Sequence, residues 1–174
     1  MDEFVSFTRD MLTYSRYWKK HPVGREINKG IIVFGHSDMI HLEVIIRNIL
    51  SMIFSPWEMT VITTKKMYIS TLQLCKFLDE NIQVIIRDEF FKENHELNLN
   101  VYHSELSSIH FWIKFPYEKF LIVHPDCLII HPAFTRYIDC YDLLNSYFSF
   151  LLPKNLEDIG NGGLCLRSLE VIKM

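Results

Sequence analysis

Two short stretches of this chain carry residues able to do chemistry. The first, His124-Pro125-Asp126, follows the apolar run Phe120-Leu121-Ile122-Val123. A carboxylate at the end of a buried strand is well placed to hold Mg²⁺ or Mn²⁺. These hard cations take one or two carboxylates and fill their remaining positions with water and substrate phosphates. A nearby imidazole, here His124, is compatible with Mn²⁺. The same residues also read as a turn, because Pro-Asp is a common turn dipeptide and Asp126 can hydrogen-bond backbone amides. Taken alone, the turn is the simpler reading.

The second stretch is Gly160-Asn161-Gly162-Gly163-Leu164-Cys165-Leu166-Arg167-Ser168, which holds three of the chain's six glycines. Glycine admits positive φ and close approach of a ligand or another backbone, so this density points to a placed loop. No Gly-Lys-Ser/Thr follows, and the block does not lie between a first strand and helix. It is therefore neither a Walker phosphate loop nor a dinucleotide fingerprint. The Asn161 amide can donate and accept hydrogen bonds, which suits sugar hydroxyls. Asn-Gly and Gly-Gly are also hairpin-turn dipeptides, and that reading stands beside the first. His36 and Asp38, at the head of the first strand, could contact a nucleotide, although Asp38 is also a good helix cap. Trp57 and Trp112 read as core. Zinc-ligand spacings, serine nucleophile elbows and evident Cys–His pairs are absent from the sequence.

The elements that must position these residues follow from periodicity. Residues 3–20 place Phe4, Phe7, Met11, Tyr14 and Trp18 on one helical face, giving an N-terminal extension expected to pack on the main fold through that face. Gly30-Ile31-Ile32-Val33-Phe34-Gly35 is a short apolar run between glycines, as expected of a strand buried on both sides. Ser37 or Asp38 caps a helix over 39–54. Strands are expected at 59–63, 82–86 and 120–123, with helices at 67–78 and 101–114; the latter sets Tyr102, Leu106, Ile109 and Ile113 on one face. Further pieces are a short helix over 132–138, strands at 147–152 and 164–166 flanking a glycine loop, and a helical start at Ser168. Alternating strands and helices imply βαβ units and a mostly parallel sheet. Such sheets bind ligands beyond the carboxyl ends of their strands, which selects His36 and Asp38, Thr64-Lys65-Lys66, Arg87-Asp88, and His124-Pro125-Asp126.

Bulk composition narrows the function classes. A chain of 174 residues with 49% hydrophobic content suits one domain with a real core. A net charge of −3 gives no basic field for nucleic acid or an anionic membrane surface. The four scattered cysteines read as reduced, buried thiols. The chain shows neither a signal-peptide pattern nor an apolar run of about 20 residues that could span a membrane. The expectation is a cytoplasmic protein.

The motifs are more specific in combination. In order come Tyr102-His103, Ser107-Ser108-Ile109-His110-Phe111-Trp112, Glu118 through Asp126, Tyr141-Asp142, and the glycine block ending Leu164-Cys165-Leu166-Arg167-Ser168. This series resembles a family of uncharacterised, predicted glycosyltransferase-like proteins found in bacteria, fungi and large DNA viruses. Its members carry a Tyr-Asn segment, a Phe-Trp pair, a strand ending in a Gln-Thr-Asp-like motif and a Gly-Asn-Gly-Gly-Phe-Ser-Leu-Arg-Ser block. The resemblance spans roughly residues 30–168 and implies a GT-A-like α/β fold over 25–174, preceded by a helical extension over 1–24. It implies a nucleotide-sugar donor held through Mn²⁺ or Mg²⁺ and an acceptor of unknown identity. Asp126 would take the last carboxylate position of the metal motif and His124 its first. His36, Ser108, His124, Asn161, Gly162 and Gly163 would meet the nucleotide sugar.

The chain also departs from that family. His124 stands where the family has Gln, and His103 replaces Asn. Phe34-Gly35-His36 replaces a Glu-x-Arg type sequence, and family members continue past the glycine block with an acidic segment. The alternative expectation is therefore a truncated, non-catalytic protein that binds a partner or polar ligand. A third is a generic α/β nucleotide-binding module.

Overall fold

The computed structural model describes residues 2–21, 23, 26–53, 57–125, 127–130, 143–146 and 161–168. The expected elements at 132–138 and 147–152 and the helical start beyond Ser168 lie outside these residues, as do Asp126 and Gly160.

Helix α1 (Asp2–Ser15) precedes strand β1 (Glu26–Phe34), helix α2 (Met39–Met52), β2 (Trp57–Thr63), α3 (Tyr68–Leu78) and β3 (Gln83–Ile86). A 3-10 turn at Asp88–Phe90 leads to α4 (Leu99–Leu106), α5 (Ile109–Trp112), β4 (Lys119–Val123), β5 (Leu143–Ser146) and β6 (Asn161–Ser168). The sheet has six strands in the order β3-β2-β1-β4-β6-β5. β3, β2, β1 and β4 run parallel, and β6 is antiparallel to both β4 and β5. This is a Rossmann-like α/β fold, as the alternation of elements predicts.

β1 alternates its buried side chains between two cores. Ile31 and Val33 join an aliphatic cluster with Leu42, Ile45, Ile46 and Ile49 of α2 and Cys75 and Leu78 of α3. Ile32 and Phe34 face an aromatic cluster with Phe90, Tyr102, Phe111, Trp112, Tyr117 and Phe120. Successive strand residues point to opposite faces, so a strand covered on both sides must be apolar throughout. Trp57 and Trp112 are both core residues, as the sequence reading has them. Gly30 is needed for packing, since a Cβ there would lie 2.1 Å from the buried Tyr117 ring. Cys75 and Cys165 are buried free thiols; burial pushes Cys75 up to about 12 and also raises Cys165.

Three local expectations are corrected. α1 does pack on α2, but Phe7 and Tyr14 of its apolar stripe are turned outward while Met11 is half-buried. Among the described side chains of α1, the fully buried ones are Thr8 and Ser15, while Phe7 and Tyr14 are 51% and 67% exposed. The reason is polar satisfaction: Thr8 meets His41 of α2, and the Ser15 hydroxyl donates to the Leu12 carbonyl. The helix expected over 101–114 is two helices, broken where Ser108 leaves helical geometry and its hydroxyl accepts from the His110 amide. The break turns Ile113 outward, so it does not share the buried face of Tyr102 and Leu106.

The third correction concerns the glycine block. Asn161, Gly162 and Gly163 form no loop or hairpin tip; their backbones begin strand β6. On β5, Asn145 pairs with Cys165 and the next residue, Ser146, with Asn161, so Gly162, Gly163 and Leu164 bulge from the ladder. Glycine inside a strand commonly marks such an irregularity.

Candidate functional site

The order of the parallel strands reverses between β1 and β4: the chain builds outward through β2 and β3, then returns to the other side of β1. In open α/β sheets, the crevice at the carboxyl ends of strands flanking such a reversal is where ligands bind. Here β1 delivers Gly35 and His36 to that crevice, and β4 delivers His124 and Pro125. The antiparallel pairing of Val123 with Leu164 carries the glycine segment alongside the same end of β4. Two parts of the sequence separated by the length of several elements are thereby brought together.

β1 and β2 stay paired into the crevice. The Gly35 amide donates to the Ile62 carbonyl at 2.7 Å, and a Cβ on Gly35 would lie 2.9 Å from that oxygen. The close approach of two backbones accounts for this glycine. Asp38 caps α2, accepting from the amides of Ile40 and His41 at 3.0 and 3.1 Å and pairing with Arg9 of α1. Burial works to raise its pKa, but these hydrogen bonds and the Arg9 charge outweigh burial and hold the carboxyl below the ordinary range. Asp38 is thus the helix cap, and Ser37 is not. His36 accepts from the Asp38 amide at Nδ1, 3.0 Å away, so its neutral ring carries the proton on Nε2. Burial lowers the His36 pKa against the opposing pull of Asp38.

His124 is 8% exposed, with its ring packed edge-on to Tyr102 at 4.6 Å and to Phe34 at 5.7 Å. Tyr102 in turn meets Phe34 at 5.2 Å and its neighbour His103 at 5.4 Å. The Tyr102-His103 pair and the end of β4 therefore share one site. Next to it, His41 lies edge-on to His36 at 4.7 Å and bonds the Pro125 carbonyl through Nε2. The turn that follows β4 is closed by the Cys127 amide donating to the His124 carbonyl at 3.1 Å.

The crevice continues over β2 and β3. The Asp88 carboxylate accepts from the Lys65 amide at 2.7 Å, tying the ends of those strands together. A turn pairing Phe91 with Leu97 folds back so that His95, at φ 65°, sets Nδ1 3.4 Å from the Thr64 hydroxyl. Arg87 places its guanidinium over the Phe90 ring and pairs with Glu89 and Glu105.

Of the residues singled out in the sequence, His36 and His124 follow the carboxyl ends of the neighbouring strands β1 and β4, with rings packed on His41 and on Tyr102 respectively, and the backbones of Asn161, Gly162 and Gly163 run beside the end of β4. Ser108 lies apart as the cap of α5. The carbonyl of nearby Leu106 accepts from Arg167, which pairs with Phe120 toward the start of β4. Among the described residues no three His, Cys, Asp or Glu side chains form a group able to hold a metal. A cation that relies on one or two carboxylates and on substrate phosphates requires no such group. Sequence reasoning missed His41. The available signal was polarity at buried positions: His41 and Asn48 interrupt a helix that is otherwise apolar on nearly every side. A cavity of about 10 Å³ beside Trp57, Ile53 and Met59 lies at the opposite end of the sheet and is the size of a single water.

Fold and crevice together define a Rossmann-like α/β protein with a candidate site at the β1/β4 reversal. The chain belongs to the family described as protein of unknown function (DUF5672), whose model matches residues 83–174. The matched part supplies β3, the aromatic layer, β4 and the glycine strand, whereas β1 and His36 lie before it. No curated protein matches the chain. No helix of the structure is long and apolar enough to cross a membrane, among the described residues.

Proposed function

We propose that this chain is a GT-A-like glycosyltransferase domain that binds a nucleotide sugar with a divalent metal at the β1/β4 crevice. The observation that carries the reading is the convergence of three segments at one end of the sheet: Gly35-His36 after β1, His124-Pro125 before Asp126, and the glycine strand beside β4. The sequence resemblance supports the same assignment, because its metal motif and its Gly-Asn-Gly-Gly block fall on two of these segments.

Mn²⁺ or Mg²⁺ would be held by Asp126 and His124 and, when bound, would supply neutralisation of the charge on the diphosphate. The residues of this chain do the rest. The His36 Nε2–H is a donor for a nucleotide oxygen. The bulge at Gly162 and Gly163 lets a ligand approach the backbone without meeting a Cβ. The aromatic rings of Tyr102 and Phe34 restrict the His124 imidazole to one orientation.

Isothermal titration of the protein with UDP- and GDP-sugars in the presence of Mn²⁺ tests the proposal. Binding of at least one donor, lost in Asp126→Ala, is the expected result. Absence of heat with every donor would sink it. Donor binding without sugar transfer or donor hydrolysis would leave a binding protein in place of an enzyme.

A further inference from the structure

α2 buries three polar side chains: Arg47, which pairs with Glu43 of the same helix, and His41 and Asn48, at 0% and 4% exposure, which reach beyond it. His41 and Asn48 stand seven residues apart, two turns of helix, and so share one face. Both grip main chain beyond β4. The Nε2 of His41 faces the carbonyl of Pro125. A carbonyl only accepts, so Nε2 carries the hydrogen and donates. Asn48 makes a pair of bonds to one residue: its amide donates to the Ile129 carbonyl at 3.0 Å, and its own carbonyl accepts from the Ile129 N–H at 2.7 Å. A side-chain amide thus serves Ile129 as a neighbouring strand would. Between these two points lies the turn closed by the Cys127 amide on the His124 carbonyl.

The hold extends to α1. With Nε2–H committed to Pro125, the Nδ1 of the neutral His41 ring accepts, and the hydroxyl of fully buried Thr8 donates to it. This contact also explains the rotation of α1. Turning Thr8 and Ser15 inward leaves Phe7 and Tyr14 substantially exposed, which forfeits apolar burial. A buried imidazole nitrogen without a partner would cost more than a typical hydrogen bond returns, so satisfying it outranks covering an aromatic ring.

We propose that His41 and Asn48 are positioning residues that fix the main chain on both sides of Asp126, and that α1 sets this clamp through Thr8. Its role in holding metal and donor rests on the nucleotide-sugar reading above; the mechanical role of the clamp does not.

The test combines amide hydrogen exchange on the full chain with titration of Mn²⁺–UDP as probe. Losing one buried hydrogen bond should speed exchange by about tenfold or more at the amide it protects. Thr8→Val keeps the shape of the side chain and removes its donor, and should act at Cys127. Asn48→Leu should act at Ile129. Val61, inside β2, should be unchanged in both. His41→Gln retains an N–H for Pro125 and should disturb Cys127 less than His41→Ala. The Kd for Mn²⁺–UDP should rise about tenfold in Thr8→Val, the same lost bond read at the site. Unchanged exchange at Cys127 and Ile129, or equal acceleration at Val61, would overturn the clamp. If the wild type binds Mn²⁺–UDP and Thr8→Val binds it equally well, the positioning role falls. If the wild type binds neither Mn²⁺–UDP nor, in the same titration, Mn²⁺–GDP, the glycosyltransferase reading fails, and exchange alone decides the clamp.

Discussion

On one face of the sheet, Ile31, Val33, Val61, Leu121 and Val123 pack against the branched aliphatic side chains of α2 and the inner side of α3. On the other, Ile32, Phe34, Ile62 and Ile122 meet rings: Phe90, Tyr102, Phe111, Trp112 and Tyr117. Aliphatic contacts have no preferred direction, so that layer gains its orientation toward the end of β4 from polar groups set into it, His41 and Asn48. Aromatic contacts carry direction of their own, because rings favour edge-to-face geometry. Trp112 and Phe120 cross at 64°, and Tyr102 and His124 at 79°. The two layers act on the same few residues by different means. The aliphatic side holds the main chain after β4 by hydrogen bonds, and the aromatic side holds the His124 ring by shape.

The largest effect should come from the aromatic side. Trp112 is fully buried, donates to the Leu106 carbonyl at 3.0 Å and lies under the Arg167 guanidinium. Trp112→Ala should cost about 3–5 kcal/mol in urea unfolding. On the aliphatic side, Ile46→Val removes one methylene from a direction-free contact and should cost about 0.5–1.5 kcal/mol by the same measurement. Equal losses at the two positions would erase the contrast between the layers.

The smallest effect lies at the crevice between them. Because burial lowers the His36 pKa, the folded protein takes up that proton less readily than the unfolded chain. Its stability is complete above the ordinary imidazole value of about 6.5 and declines as the pH falls below that toward the lowered folded value. His36→Asn should therefore narrow the gap between Tm values measured near pH 7.5 and pH 5.5, while an unchanged gap would show that His36 does not contribute to it.

Much of the fold was legible because its signals are local. The glycine-bounded run at β1, the Asp38 cap and the alternation of strands with helices each depend on a few adjacent residues. The rotation of α1 was not legible, since its apolar stripe argues for burying Phe7 and Tyr14, which the structure leaves exposed. What turns it is a hydrogen bond to His41, 33 residues away. Asn161, Gly162 and Gly163 were legible as unusual but not as part of the strand expected at 164–166, because their bulge exists only against β5. His36 and His124 could be placed at strand ends by the topology rule. Asn48 could not be given a role, since its partner Ile129 lies 81 positions further on.

The position of β1 also shapes how the chain can be made. β1 lies between β2 and β4 in the sheet, yet β4 follows only after β2, β3 and the whole aromatic layer. While the ribosome extends the chain from Phe34 to Lys119, on the order of ten seconds at ordinary elongation rates, the β1 edge has no strand beside it. Such an edge is a template for pairing with other chains. The nascent chain therefore carries this unpaired edge until the arrival of Lys119–Val123, which both covers it and creates the crevice.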